Sequence, residues 1–498
     1  MNPMTVPRLA LLAALSGIFC SASASAQTVR IDATAKAEPF PHVWEKAFGS
    51  GRAVLSLRES WRRNLDAVRA AAGVEYVRFH AIFHDENGVY SRDREGKPVY
   101  NFNQTDRIYD GLLRHGVRPY VELSFMPRQL AAATVFHPFW YRPIVSPPAD
   151  YRAWGDLVEA FARHLVARYG IDEVAGWYFE VWNEPNLDFW AGNPKFDTYM
   201  RLYEASAAAL KRVSPRLRVG GPATAQAAWT GRFLNECAQR NLPADFVSTH
   251  VYANDRPVDV FGVDGPVDRR TMLPRALEKV YQEVRRSARP ATPIHWSEFN
   301  ASYMNEPEVT DSSYIGPWLA ETIAAARGRT ELMSFWTFSD DFEEQGIFQS
   351  PFYGGFGLIN PLGIPKASFH VFRLLHLLGD ELLPGDEGNA LVTRRRDGRI
   401  VVALWNYAEP GQAGPDRTFT LTGAPAGAAL IHRVDPEHSS AYERWKQMGG
   451  PRSISLEQQR ELEAVAAPAP PERCSVAGGK LTVTVPAHGL AVVELGVH

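Results

Sequence analysis

The sequence predicts an α/β protein, a (β/α)8 TIM barrel with an accessory C-terminal β-sandwich domain. Three observations predict it. Eight short apolar segments alternate with helical patterns between about residues 42 and 378. Beyond 378 the helical patterns give way to short, closely spaced strands punctuated by Gly and Pro. The composition is that of a globular chain, with 45% hydrophobic and 22% charged residues over 498 positions and a formal net charge of -3. That balance excludes a disordered chain, a collagen-like repeat and a basic nucleic-acid coat. It offers no electrostatic case for nucleic acid or an anionic membrane as partner.

The first 26 residues read as a signal peptide. Met1 to Arg8 carry a positive charge, residues 9–20 form an apolar run, and Ala24-Ser25-Ala26 fits a small-residue cleavage site. The run is too short to span a bilayer. The mature chain is expected to be exported, to the periplasm or the medium, without a membrane anchor. Removing Cys20 leaves Cys237 and Cys474. An oxidising compartment permits a bridge, but two cysteines so far apart read as two unpaired thiols.

Residues 27–41 follow, and Thr28–Ala33 looks like a strand that joins the sandwich. The barrel is assigned to 42–378, with strands at 44–49, 75–80, 118–125, 176–184, 217–222, 245–252, 293–299 and 332–339. Between them, Leu65, Val68 and Ala72 share a helical face, as do Ile108 and Leu112, then Trp154, Leu157, Phe161 and Leu165, then Leu277, Val280, Tyr281 and Val284. Strands interleaved with helices imply parallel pairing by crossovers. The count of eight suggests a closed barrel; a doubly wound sheet fits the pattern alone. Residues 379–498 form the sandwich, with short strands opening at Leu391, Ile400, Thr418, Leu430, Leu481 and Leu490 and a helix-and-loop insertion at 450–473.

In such a barrel the chemistry belongs at the C-terminal strand ends. The fourth strand ends in Asn183-Glu184-Pro185 and the seventh in Ser297-Glu298-Phe299. Two carboxylates with two strands between them face each other across the mouth. Glycosidic bond cleavage needs that pair, one group to protonate the leaving oxygen and one to attack or support the anomeric carbon. Motifs for metals, phosphates or a serine nucleophile are missing, and Gly49-Ser50-Gly51 is an incomplete dinucleotide fingerprint. His80 and His84 are four apart on extended chain and do not face one ligand. No metal and no cofactor are expected.

WYFEVWNEPN at 177–186 resembles the acid/base strand, and HWSEFN at 295–300 the nucleophile strand, of a large glycoside hydrolase clan built on this barrel. VRFHAIFHDENGVY (77–90), VGGPAT (219–224), FVSTHVYAND (246–255) and SFWTFSDDFEEQG (334–346) narrow the resemblance to glycoside hydrolase family 39, which holds β-xylosidases and α-L-iduronidases. The resemblance implies that Glu184 is the general acid/base and Glu298 the nucleophile of a retaining double displacement. It also implies a barrel paired with a β-sandwich.

Around that pair, Asn183 is placed to donate to the sugar 2-hydroxyl, and His250 and Tyr252 to a hydroxyl and to Glu298. Tyr303 is expected to close over Glu298, His80 to read the sugar, and Trp336 to stack on it. One of Glu343 and Glu344 is expected to bind sugar hydroxyls. Arg78 is a candidate to neutralise Glu122 or Glu180. The expected activity is hydrolysis of β-xylosides or related small glycosides, with a small glycoside or oligosaccharide as the partner. Iduronides, arabinosides, galactosides and glucosides are alternatives, and Arg128, Lys195 or Arg256 could serve a uronate. A non-catalytic carbohydrate-binding protein and a polysaccharide lyase are the rivals from other classes.

Overall fold

The computed structural model describes residues 26–384 and 388–497, so the signal-peptide assignment lies outside the described residues apart from Ala26. Eight parallel strands close into a barrel: β1 (Ala47–Arg52), β2 (Tyr76–His80), β3 (Arg118–Leu123), β4 (Tyr178–Val181), β5 (Arg218–Thr224), β6 (Phe246–Tyr252), β7 (Ile294–Asn300) and β8 (Leu332–Phe335). β8 pairs with β1 at Ser334–Ala47, which seals the cylinder. The doubly wound alternative is thereby excluded.

Helices cover the barrel where the apolar spacing placed them. Glu59–Ala71 buries Trp61, Leu65 and Val68. Asn103–Arg114 buries Ile108 and Leu112. Tyr151–Tyr169 is capped by the Asp150 side chain and buries Trp154, Leu157, Phe161 and Leu165. β4 and β8 are shorter than their sequence patterns. After β4 the backbone turns left-handed at Trp182 (φ 72) and Glu184 (φ 44), which stops the ladder and lifts Glu184 out of the strand.

The C-terminal strands are β9 (Ala390–Arg394), β10 (Ile400–Asn406), β11 (Arg417–Thr422), β12 (Gly427–Val434), β13 (Glu472–Val476), β14 (Lys480–Val485) and β15 (Gly489–Val497). The N-terminal strand Gln27–Arg30 pairs parallel to β11, and β11 pairs with β14 in a three-stranded sheet. A seven-stranded sheet runs β13-β12-β15-β10-β9, then Glu381–Leu382 and Glu38–Pro39. The sheets enclose a core of Val29, Phe419, Leu421, Val402, Leu404 and Val493. The other face of the larger sheet, with Leu391, Val401, Ala403, Trp405, Leu490 and Val492, belongs to the barrel's own core. Burial on both faces explains why Ile400–Asn406 reads as a continuous apolar run rather than an alternating one.

The segment after Ala441 departs from the sequence reading at its end. Helices Ala441–Gln447 and Leu456–Val465 are present, but β13 begins at Glu472, inside the predicted insertion. It buries only Val476 and so left little apolar signal. Cys237 is buried, Cys474 is half-buried, and both are free thiols. Among the described residues, no helix is long and apolar enough to cross a membrane.

One buried ion triad fastens the long loop after β8. Lys366, fully buried, contacts Asp311 at 2.6 Å, Asp340 at 3.2 Å and the Gly355 carbonyl at 2.7 Å. The Asp340 carboxylate accepts from the Gly357 N–H at 2.6 Å, and Asp311 from Gly354 at 2.7 Å. Lys366→Met would leave two buried carboxylates without a cation. It should reduce stability by about 3–5 kcal/mol in chemical denaturation.

Candidate active site

Alternation along the strands builds the barrel interior in layers, because side chains two apart share a face. Tyr76, Tyr120, Phe246 and Leu332, with Tyr178, plug the N-terminal end. Two residues further on lie Arg78, Glu122 and Glu180, all buried. The next step brings His80 and His250. Tyr252 follows on β6.

Arg78 organises this interior. Its Nε donates to Glu180 Oε2 at 2.7 Å, Nη1 to Glu298 Oε2 at 3.1 Å, and Nη2 to Asn183 Oδ1 at 2.9 Å. Nη2 also lies 2.8 Å from Glu122 Oε2. Burial opposes its charge, but Glu180, Glu122 and Glu298 outweigh burial and raise its proton affinity above the ordinary arginine value. Because a guanidinium only donates, its bond to Asn183 fixes that amide with the oxygen inward. The Asn183 N–H pair is left for the cavity.

Glu298 enters the layer through a β-bulge. Thr249 pairs with Trp296 but His250 pairs with Glu298, so Ser297 is an extra residue in β7. Ser297 and Glu298 therefore both reach inward. Ser297 Oγ lies 3.1 Å from His250 Nε2, and the Tyr252 hydroxyl donates to Glu298 Oε1. Burial and the Arg78 charge hold His250 well below its usual pKa, so it is neutral. Its Nε2 accepts the serine hydrogen, and its Nδ1–H donates to Glu184 Oε1 at 3.0 Å.

The carboxyls divide their roles by their neighbours. Burial, then Glu298 and Asp255, raise Glu184 well above the usual carboxylate range. Burial also raises Glu298, and Arg78 and the Tyr252 hydroxyl offset only part of that rise, so it stays above its ordinary value, though not as far as Glu184. Glu344 is raised well above its ordinary value by burial, then by Glu298 and Glu184. Glu122 is buried too, yet His80 and Arg78 bring it below the ordinary value. One guanidinium cannot neutralise every buried carboxylate around it. The two carboxyls held well above the usual range, Glu184 and Glu344, are those that Arg78 does not contact. One oxygen of Glu184 and one of Glu298 lie within 4.8 Å of each other. That fits the ~5–5.5 Å spacing of retaining glycosidases and not the wider inverting one.

A cavity of about 400 Å³ opens over this pair. Glu184, Glu298, Asn183, His80, Tyr252, Tyr303, Trp336 and Glu344 all line it. His250 stands behind the carboxylates and orients them. The structure separates the pair Glu343 and Glu344, between which the sequence left the choice open. The Glu343 carboxylate is bound by Arg52 at 2.9 Å and Arg58 at 2.6 Å, which turn it away from the cavity. Glu344 alone of the two faces inward, with Oε1 3.5 Å from His80 Nε2. His80 Nδ1 is held by Glu122 at 2.7 Å, and its ring lies 4.7 Å from Trp336. A Cβ on Gly49 would sit 2.3 Å from the Trp336 ring, so the first glycine of Gly-Ser-Gly makes room for the indole.

The sequence reading missed the loop residues. His137, Phe139 and Phe189 form one wall, with His137 stacked on Phe189 at 3.9 Å. Gln226 and Asp255 line the cavity as well, next to Arg256, which the sequence had offered only as a uronate partner. Burial lifts Asp255 to about 7, although its carboxylate accepts from the Tyr252 N–H at 2.8 Å. None of these sits in a periodic segment, so no spacing marked them.

Glu184, His250 and Glu298 could offer one ligand atom each to a cation. The Arg78 charge beside Glu298 opposes that use. A second group, His42, Glu45 and His376, lies near the N-terminal end of the barrel, away from this cavity.

A closed (β/α)8 barrel with two buried glutamates of unequal proton affinity converging at the strand ends defines a glycoside hydrolase. The chain belongs to glycosyl hydrolases family 39, whose profile matches residues 27–482. It is 38% identical over 430 residues to a β-xylosidase of Geobacillus stearothermophilus, covering 83% of this chain and 84% of that one. It is 36% identical over 440 residues to a β-xylosidase of Caldicellulosiruptor saccharolyticus, covering 84% and 87%. A crystal structure of a monomeric β-xylosidase from Caulobacter crescentus superposes with a TM-score of 0.86 at 31% identity, covering 94% of this chain and 99% of that one.

Two variants test the electrostatics. A lysine cannot span the contacts of Arg78, so Arg78→Lys should lower kcat/KM about a hundredfold. Glu298 then loses a charge-assisted donor, and the acid limb of the pH profile should move to higher pH. For Glu344, the native pKa is raised, so its contribution to stability is full below about pH 4.3 and lost as pH rises through the native value. Glutamine mimics the protonated acid at every pH. In thermal melts, the advantage of Glu344→Gln over the wild type should grow from about pH 4 to about pH 8.

Proposed function

We propose that this protein is an exported β-xylosidase acting with net retention, with Glu184 as acid/base and Glu298 as nucleophile. The Glu184 proton passes to the glycosidic oxygen while a Glu298 oxygen attacks the anomeric carbon. The carbon–oxygen bond to the leaving group breaks, and a glycosyl ester forms on Glu298. Esterification removes the Glu298 charge, which was one cause of the high Glu184 proton affinity. Glu184, now ionised, takes a proton from water as the water oxygen attacks the same carbon and releases Glu298.

Asn183, oriented by Arg78, donates to the sugar 2-hydroxyl, a bond that strengthens as the ring becomes oxocarbenium-like. Trp336 supplies the apolar face under the sugar, and His80 and Glu344 bind hydroxyls. Export rests on the sequence pattern of residues 1–26.

The observation that carries the neutral-sugar reading is the composition of the cavity wall. His80, Trp336 and Glu344 lie there, and the buried cation, Arg78, is already engaged by carboxylates. A uronate would meet Glu344 instead of a free base. Of the basic candidates, Lys195 spends its ammonium on the Leu187 and Trp190 carbonyls, and Arg128 points to Asp85 at 3.7 Å. Arg256 lies at the exposed mouth, its side chain 70% accessible. The relatives described as β-xylosidases support the same reading.

A panel of aryl xyloside, arabinoside, galactoside, glucoside and iduronide should show xyloside hydrolysed fastest; a preference for iduronide would overturn the assignment. With Glu298→Ala, azide should yield a glycosyl azide of inverted configuration. With Glu184→Ala, it should yield the retained one. The reverse pattern would exchange the two roles.

A further inference from the structure

We propose that Gln226 is a specificity-determining residue of the leaving-group subsite, binding hydroxyls of the first sugar beyond the scissile bond. The inference rests on the reading of Glu184 as proton donor, because the leaving group must extend from the side that Glu184 protonates.

The loop after β5 is built against that side. The Glu184 N–H donates to the Ala223 carbonyl at 2.8 Å. The Asn186 side chain clasps Ala225 twice, accepting from its N–H at 3.0 Å and donating to its carbonyl at 3.1 Å. Lys279 donates to the Ala227 carbonyl, and Thr249 to the Thr224 carbonyl at 2.8 Å. The acid/base turn and the β5 loop therefore move as one piece.

The clasped segment holds four non-glycine residues in the left-handed region: Ala223 (φ 52), Gln226 (φ 62), Ala227 (φ 51) and Trp229 (φ 62). Such backbone persists only where its surroundings over-determine it, and it gathers at functional sites. Its outcome here is to hold Gln226 half-buried at the cavity wall. The Gln226 amide makes no hydrogen bond among the described residues, although its loop is otherwise bonded at nearly every step. A donor and an acceptor are thus presented together, unspent, beside the acid/base. Sugar hydroxyls need that combination. Arg256 and Tyr303 line the same cavity, whereas His80, Trp336 and Glu344 form a cluster of their own, with His80 4.7 Å from Trp336 and 3.5 Å from Glu344 Oε1.

The test compares kcat/KM for xylobiose and for 4-nitrophenyl β-xyloside. Both share the glycone and the glycosyl ester, and they differ in the group that leaves. In Gln226→Ala the ratio of xylobiose to aryl xyloside kcat/KM should fall about tenfold, with Gln226→Asn recovering part of it. Alanine is no worse than glutamine at φ 62, so the backbone load is kept. An unchanged ratio, whether both substrates suffer equally or neither does, overturns the proposal. If the wild type prefers another glycone, the β-xylosidase reading fails separately. The same ratio, taken with the disaccharide and aryl glycoside of that sugar, then decides the role of Gln226.

Discussion

The barrel interior depends on the guanidinium of Arg78. A charge buried this deeply persists only if its neighbours compensate it, and here they are carboxylates of three different strands plus an amide. The compensation runs both ways. Arg78 lowers the proton affinity of Glu298 and Glu122 in a place where burial raises it. It makes no direct contact with Glu184 or Glu344, whose proton affinities stay well above the usual carboxylate range. The difference in proton affinity between Glu298 and Glu184 thus follows the reach of one planar cation. Neighbouring groups refine the same field. Tyr252 donates to Glu298, and neutral His250 joins Glu184 to Ser297 without adding charge.

Backbone irregularity does the remaining positioning. Strict alternation would point either Ser297 or Glu298 into the barrel. The bulge in β7 points both inward, which lets Ser297 bond to His250 and Glu298 line the cavity. On β4 the left-handed turns at Trp182 and Glu184 end the strand early and present Glu184 above it. In each case a local break in regular structure falls at a residue that the chemistry uses.

These features separate what the sequence makes legible from what it does not. Strand number and helix faces follow from apolar spacing, and Glu184 and Glu298 follow from their places at strand ends. Arg78 was legible as a neutraliser of strand carboxylates, but its bridge to Glu298 and Asn183 depends on barrel closure, which brings β2, β4 and β7 together. Glu343 and Glu344 are chemically identical neighbours, and only the positions of Arg52 and Arg58 tell them apart. Gln226, Asp255 and the His137–Phe139–Phe189 wall lie in loops whose paths no periodicity encodes. β13 escaped for the opposite reason, being a true strand with one buried side chain.

The large C-terminal sheet has apolar residues on both sides, one set shared with the N-terminal strand and one with the barrel. Neither unit can come apart without stripping a face from the other. Melting should therefore be a single cooperative event spanning the whole chain. The β-sandwich is then less an appended module than part of the thermodynamic frame that keeps two distant glutamates in register.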